Sequence, residues 1–195
     1  MGSEASNPGR PTPVKIVIAG GFGVGKTTFV GAISEIEPLT SEAIITQVSA
    51  GVDELPQLNT KTTTTVAMDF GRISLKNNLI LYLFGTPGQD RFHFMWHELS
   101  KGAIGAVVLV DTRRLDACFA AVDFFERIRT PFLVAVNTFD GARPYSLDQV
   151  RVALAVPPGV PMAYCDARRR VDAQSILVRL VEHALATALE SVHAT

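Results

Sequence analysis

The sequence predicts a single α/β domain: a six-stranded, mostly parallel mixed sheet with helices on both faces. Short apolar runs alternate along the chain with segments whose apolar residues recur every three or four positions, as strands alternating with amphipathic helices do. The length, 195 residues, is near the ~150-residue prior for one compact domain. Apolar residues make up 47% and charged residues 19%, enough apolar surface for a core and too little charge for a disordered chain.

The elements follow in order. Residues 1–13 hold three Pro and two Gly without periodicity and read as a disordered tail, which leaves 14–195 for the domain. Met1-Gly2 with Ser6 meets a short acylation pattern that is too degenerate to carry weight alone. Six strands are expected at Val14–Ala19, Thr65–Leu75, Leu79–Phe84, Ile104–Val110, Pro131–Val136 and Val160–Tyr164. The turn Lys76-Asn77-Asn78 makes the second and third antiparallel, whereas the others need helical crossovers. Helical faces such as Phe29/Ile33/Ile36, Leu115/Phe119/Val122 and Leu177/Val181/Ala184/Ala188 are expected to face the core. Ser146 and Gln149 form a capping box for a helix reaching about Leu154, ended by Pro157-Pro158-Gly159. The segment from Glu37 to Thr64 is long for a loop, and Ser41–Val48 within it is the place for a short helix.

Composition excludes several functions. The formal net charge is −1, so no basic field exists to hold a nucleic acid or an anionic membrane. The longest near-continuous apolar stretch, Ala103–Val110, falls short of the ~20 residues of a membrane helix. Two cysteines, Cys118 and Cys165, make neither a disulfide framework nor a metal pattern. A cytoplasmic chain is expected, reaching a membrane only through partners.

The chemistry begins at Gly20-Gly21-Phe22-Gly23-Val24-Gly25-Lys26-Thr27, which fits the phosphate-binding P-loop pattern G-x-x-x-x-G-K-[ST] between an expected strand and an expected helix. Backbone N–H groups of Gly20, Gly21, Gly23, Val24 and Gly25, with Thr28 in the first helical turn, would wrap a phosphate. Lys26 would reach the β and γ oxygens, and the Thr27 hydroxyl would ligate Mg²⁺. A Gly-rich turn that binds nothing is the plain alternative.

The base-reading residues are expected at Asn137-Thr138-Phe139-Asp140. A carboxylate at Asp140 can accept from N1–H and the 2-amino group of guanine, whereas adenine offers neither donor there. An Asx turn closing the strand is the other reading of the same residues. Asp166-Ala167-Arg168, after the last strand, lies where a second loop could offer an N–H to the guanine O6.

With five motifs in order over about residues 14–190, the chain resembles the small Ras-like GTPases. Thr62-Thr63-Thr64-Thr65 leading to Met68-Asp69-Phe70-Gly71, then Phe84-Gly85-Thr86-Pro87-Gly88-Gln89 and Asn137–Asp140, resemble the bacterial conservon GTPases of CvnD type and, more distantly, the MglA-type polarity GTPases. The resemblance implies GTP or GDP and Mg²⁺ as ligands, with hydrolysis accelerated by an activating protein. Lys26, Thr65 and Gln89 would be catalytic, with Gly88 sensing the γ-phosphate and Thr27 and Thr65 on the metal. Residues from about 37 to 64 would precede Thr65 as a long first switch. It also implies a sensor-kinase-like membrane protein, a roadblock-fold protein and a small helical regulator as partners.

Departures from the pattern matter. Gly85 stands where the family has a metal-holding Asp, and Asp69 on the neighbouring strand is the candidate replacement, the alternative being a solvated strand charge. Thr138 replaces the usual Lys. Arg168 could stack on the base or simply be solvated. Arg91 and Arg113 are candidate arginine fingers, though surface charge is the commoner fate of such residues. His93 and His97 are four apart without a third ligand, so zinc is not expected. Phe92, Phe94, Met95 and Trp96 suit either a partner surface or partial burial. A nucleotide-dependent interaction module with negligible hydrolysis is the rival reading, and a P-loop kinase is a second.

Overall fold

The structure is a computed structural model that describes residues 11–37, 39–47, 62–89, 92–141 and 145–193. Its strands are β1 (Thr12–Ala19), β2 (Leu39–Gln47), β3 (Thr62–Leu75), β4 (Leu79–Gly85), β5 (Gly105–Val110), β6 (Phe132–Asn137) and β7 (Met162–Cys165). They form one sheet in the order β2-β3-β4-β1-β5-β6-β7. β1 runs parallel to β4 and β5, and β6 runs parallel to β5 and β7. Only β3 is antiparallel to its neighbours, β2 and β4. The hairpin joining β3 to β4 turns through Asn77 at φ 61 and Asn78 at φ 56, a left-handed pair that asparagine tolerates.

Helices α1 (Lys26–Ile33), α2 (Phe94–Ser100), α3 (Phe119–Arg127), α4 (Leu147–Ala153) and α5 (Arg170–His193) cover the two faces. Alternation along β1 builds both cores. Ile16 and Ile18 pack with Phe29, Val30 and Ile33 of α1 and with Ile176 and Leu180 of α5. Val17 and Ala19 face Trp96 of α2, Phe124 and Phe125 of α3, and Val150 of α4. Fully burying each large side chain stabilises the fold by about 1.5–3 kcal/mol. The expected capping box is present, with Ser146 Oγ accepting from Gln149 N–H and Gln149 Oε1 accepting from Ser146 N–H.

Three expectations are corrected. The sheet has a seventh strand, because Leu39–Gln47 is extended and pairs with β3 where a short helix was expected over Ser41–Val48. β-branched Thr40, Ile44, Ile45 and Thr46 favour extended backbone, and the free edge of β3 supplies the hydrogen bonds. β1 begins at Thr12 rather than Val14, with Pro13 where only β4 lies beside it, so its missing N–H breaks no ladder on the other side. The core face of α5 is Ala173, Ile176, Leu177, Leu180 and Ala184, whereas Val181 and Ala188 are exposed. The rest of the segment from 48 to 61 lies outside the described residues.

Candidate functional site

The phosphate loop leaves β1 at Ala19 and enters α1 at Lys26, at the C-terminal end of the parallel strands, where ligands of open α/β sheets bind. Gly25 closes the loop at φ +104, and a Cβ there would come within 2.8 Å of Asn137 Nδ2, so backbone conformation and space both require glycine. Lys26 is 8% exposed, and its ammonium donates to the carbonyls of Gly20 at 2.9 Å and Gly21 at 2.8 Å. Burial pushes its pKa down to about 8, against the pull of the Asp69 charge, which raises it. Together with Phe22, Gly23, Gly25, Thr27, Thr28, Asp69, Thr86 and Gly88, Lys26 lines a cavity of about 380 Å³.

Asp69 reaches the same cavity from β3. It is buried, and its Oδ2 accepts the Thr27 hydroxyl at 2.8 Å. In the β3–β4 register Asp69 stands opposite Gly85, and a Cβ on Gly85 would lie 2.9 Å from both the Cβ and the Oδ2 of Asp69. The missing acid of β4 and the acid of β3 therefore occupy one space. Nearby, the buried hydroxyl of Thr86 has no hydrogen-bond partner among the described residues, although it lines the cavity. A buried hydroxyl without a partner costs about 1–3 kcal/mol, which an anionic or hydrated ligand would relieve. With a cationic ammonium on one wall and a hydroxyl–carboxylate pair on the other, the cradle fits a phosphate chain and a hard divalent cation.

The loop expected to read a base, Asn137–Asp140, is tied to this cradle by Asn137. Its Nδ2 donates to the Val24 carbonyl at 2.9 Å, and its Oδ1 accepts from the Ala167 N–H at 3.1 Å. Thr138, buried, donates its backbone N–H to the Cys165 carbonyl at 2.8 Å. Asp140 adopts φ 54 and turns its carboxylate, 91% exposed, outward to Arg168 Nη1 at 3.2 Å. Arg168 also holds Asp166 through Nε and Nη2, each at 2.9 Å. These hydrogen bonds keep the Asp166 carboxyl below its usual range and raise Arg168 above its own. Arg168 thus pairs with the carboxylates of both loops.

The structure brings together Gly20, Gly21, Gly23, Val24, Gly25, Lys26, Thr27, Thr28, Asp69 and Gly88 on the phosphate side, and Asn137, Thr138, Asp140, Asp166, Ala167 and Arg168 on the other. Thr65 is different: its backbone sits in β3 opposite Ile44, four residues from Asp69, which is about 13 Å along a strand. Arg91 lies outside the described residues. Arg113 is held bidentate by Asp111, 2.9 Å for each bond, with its guanidinium 3.8 Å from the centre of the Phe139 ring. In the segment after Gly88, Phe92 and Trp96 are buried while Phe94 is exposed, and Trp96 donates Nε1–H to the Pro87 carbonyl at 3.0 Å. His93 lies against the Trp96 ring, 4.1 Å between centroids and tilted by 44°. Sequence reasoning missed Phe22 and Thr86 as lining of the cradle. Only Phe22 left a local trace, as the one bulky residue among the glycines of its loop.

Comparison with known proteins adds independent findings. The chain resembles the G domain of the T. maritima FeoB iron transporter with a TM-score of 0.59 at 17% identity, covering 89% of this chain and 99% of that one. For the FeoB G domain of Methanococcus jannaschii the TM-score is 0.58 at 14% identity, covering 89% and 98%. The GDP form of the T. maritima FeoB cytosolic domain gives 0.63 at 17%, covering 90% of this chain and 65% of that one. At such identities the likeness shows the fold alone, the α/β architecture that those domains have. Uncharacterized protein MJ1339 of Methanocaldococcus jannaschii is 33% identical over 101 residues, 52% of this chain; the match spans 53%, about half, of that relative. The sequence model of one family matches residues 18–187, and the chain belongs to that family, described as conserved hypothetical ATP binding protein.

Proposed function

We propose that this chain binds a guanine nucleoside triphosphate with Mg²⁺ and hydrolyses it to the diphosphate and phosphate, acting as a molecular switch. The observation that carries the reading is the Asn137 clasp, which joins the phosphate loop at Val24 to the base-side loop at Ala167 and makes one site of two half-sites. The family description names ATP. Asp140 favours guanine instead, since a carboxylate in this loop meets two donors on guanine and none on adenine.

The residues divide the work. Lys26 exchanges the carbonyls of Gly20 and Gly21 for phosphate oxygens, and Gly88 N–H faces the terminal phosphate. Thr27 and Asp69 would hold the metal, with Thr65 joining them as the first switch closes. Mg²⁺, when bound, neutralises charge on the β and γ oxygens. Gln89 orients the attacking water. Asn137, Asp140, Ala167 and Arg168 hold the base. Order in the Gly88 loop would then depend on the terminal phosphate, so hydrolysis changes the surface offered to partners.

A sensor-kinase-like membrane protein, a roadblock-fold protein and a small helical regulator, together with an activating protein, form part of this proposal on the motif resemblance alone. The proposed place of action is the cytoplasm. Separately, no helix among the described residues is long and apolar enough to cross a membrane.

Calorimetric titration tests the reading, using GDP, a non-hydrolysable GTP analogue and ATP, each with and without Mg²⁺. Guanine nucleotides should bind micromolar or tighter and ATP at least tenfold weaker, with Lys26→Ala and Asp140→Ala each losing binding. Preference for ATP would replace guanine by adenine in the reading, and no binding of either would overturn it. Multiple-turnover phosphate release separates a hydrolase from an interaction module that only binds.

A further inference from the structure

We infer that Arg114 is a catalytic residue of the proposed hydrolysis: a guanidinium supplied by the chain itself that reaches the terminal phosphate from a second cavity beside the cradle. The inference rests on the nucleotide reading above.

A cavity of about 530 Å³ adjoins the phosphate cradle and is lined by Phe22, Gly88, Gln89, His93, Arg114, Asp116 and two alanines. Phe22 and Gly88 line both cavities, so the two meet at that pair. The meeting point is the terminal-phosphate end of the cradle, because a Cβ on Gly88 would lie 2.7 Å from Lys26 Nζ and 2.8 Å from Phe22 N. The second cavity therefore opens onto the place where the γ-phosphate and an attacking water would meet, with Gln89 in its wall.

Two arginines follow β5, and the fold sends them to different places. Asp111, partly relieved of the cost of burial by these bonds, accepts the backbone N–H, Nε and Nη2 of Arg113, whose plane then covers Phe139 on the base side. Arg114 turns away at φ −145, ψ 58, its N–H donating to the Asp111 carbonyl and its carbonyl accepting from Ala117 N–H. Its side chain is exposed and lines the second cavity, and among the described residues no carboxylate lies within ion-pair distance of it. Asp116 lines the same cavity and would compete for the guanidinium in the free protein.

Phe22, 63% exposed, lines both cavities and marks the opening between them. Among the described residues, Arg114 supplies the guanidinium that lines the second cavity at this opening. In the reaction the water oxygen forms a bond to Pγ and the bond from Pγ to the β,γ-bridging oxygen breaks. That electron pair stays on the diphosphate, and the water proton passes to the phosphate released. Arg114 acts by neutralising the oxygens on which charge accumulates.

The test compares wild type, Arg114→Ala and Arg114→Lys in single-turnover GTP hydrolysis, in binding of the non-hydrolysable analogue, and in binding of GDP with aluminium fluoride. Arginines in this role contribute about 10³–10⁵ in rate, so Arg114→Ala should lose at least 100-fold in rate and its aluminium-fluoride affinity. Its analogue affinity should stay within threefold, and Arg114→Lys should recover part of the rate. A rate within twofold of wild type overturns the inference, as does an equal loss in analogue binding. A wild type that binds the analogue yet never hydrolyses GTP also overturns it and leaves the binding reading standing. A wild type that binds no nucleotide removes both.

Discussion

The Thr27 hydroxyl donates to Asp69 Oδ2 at 2.8 Å, joining residues 42 apart in the chain across the floor of the phosphate cradle. Asp69 stands in the space that a side chain at Gly85 would need. Asp69→Ala should therefore abolish the Mg²⁺ enhancement of nucleotide binding, measured as the ratio of dissociation constants with and without the ion. Gly85→Asp alone should be destabilised by about 2–4 kcal/mol, since it crowds a second carboxylate against a buried one. The double variant Asp69→Ala/Gly85→Asp should recover stability and part of the Mg²⁺ dependence.

Lys26 sets a pH dependence of stability. Burial lowers it from 10.5 to about 8. Between those values the unfolded chain keeps a proton that the folded chain has lost, so stability rises as pH increases from about 8 to about 10.5. Below pH 8 the full penalty stands, roughly 3 kcal/mol. Urea unfolding over pH 7–10.5 should show this rise in wild type, and Lys26→Met should lack it. Triphosphate binding at pH 8.5 should take up a fraction of a proton as Lys26 recovers its charge, read from calorimetry in buffers of different ionisation enthalpy.

Asn137 satisfies a carbonyl and an N–H with one side chain. Asn137→Ala leaves both without their partner, at about 1–3 kcal/mol each, and should lower stability by about 2–4 kcal/mol in denaturant unfolding. Asn137→Asp keeps an acceptor for Ala167 but sets a carboxylate against the Val24 carbonyl, so it should be no better than alanine.

The chain has one tryptophan, and Trp96 is bonded to Pro87, the residue before Gly88. Intrinsic fluorescence should therefore change when a triphosphate analogue binds and change less with the diphosphate. Trp96→Phe should remove the signal and cost about 1–3 kcal/mol, because Phe cannot reach the Pro87 carbonyl.

Much of the site was legible because its chemistry is local. Eight consecutive residues spell the phosphate loop, and Asn137 announces itself by its place at a strand end. Asp69 was legible by alternation along its strand, though its pairing with Gly85 appears only once β3 and β4 are in register. β2 was not legible: an edge strand owes its form to a neighbour's free hydrogen bonds, and its own sequence carries only a weak propensity. Arg114 was hidden by Arg113, since only the grip of Asp111 decides which of two adjacent arginines goes to the base side. The Thr86 hydroxyl was hidden because lack of a partner is a property of surroundings. On α5, Val181 follows the helical period yet lies at the rim of the buried stripe, a distinction that the period cannot make.

The reciprocal fit of Asp69 and Gly85 also couples the two positions as evolutionary characters. The space between β3 and β4 at this register pair has room for one carboxylate, so an acid at position 69 and an acid at position 85 exclude each other. An alignment of relatives should therefore show an acid at one of the two positions and a small residue at the other.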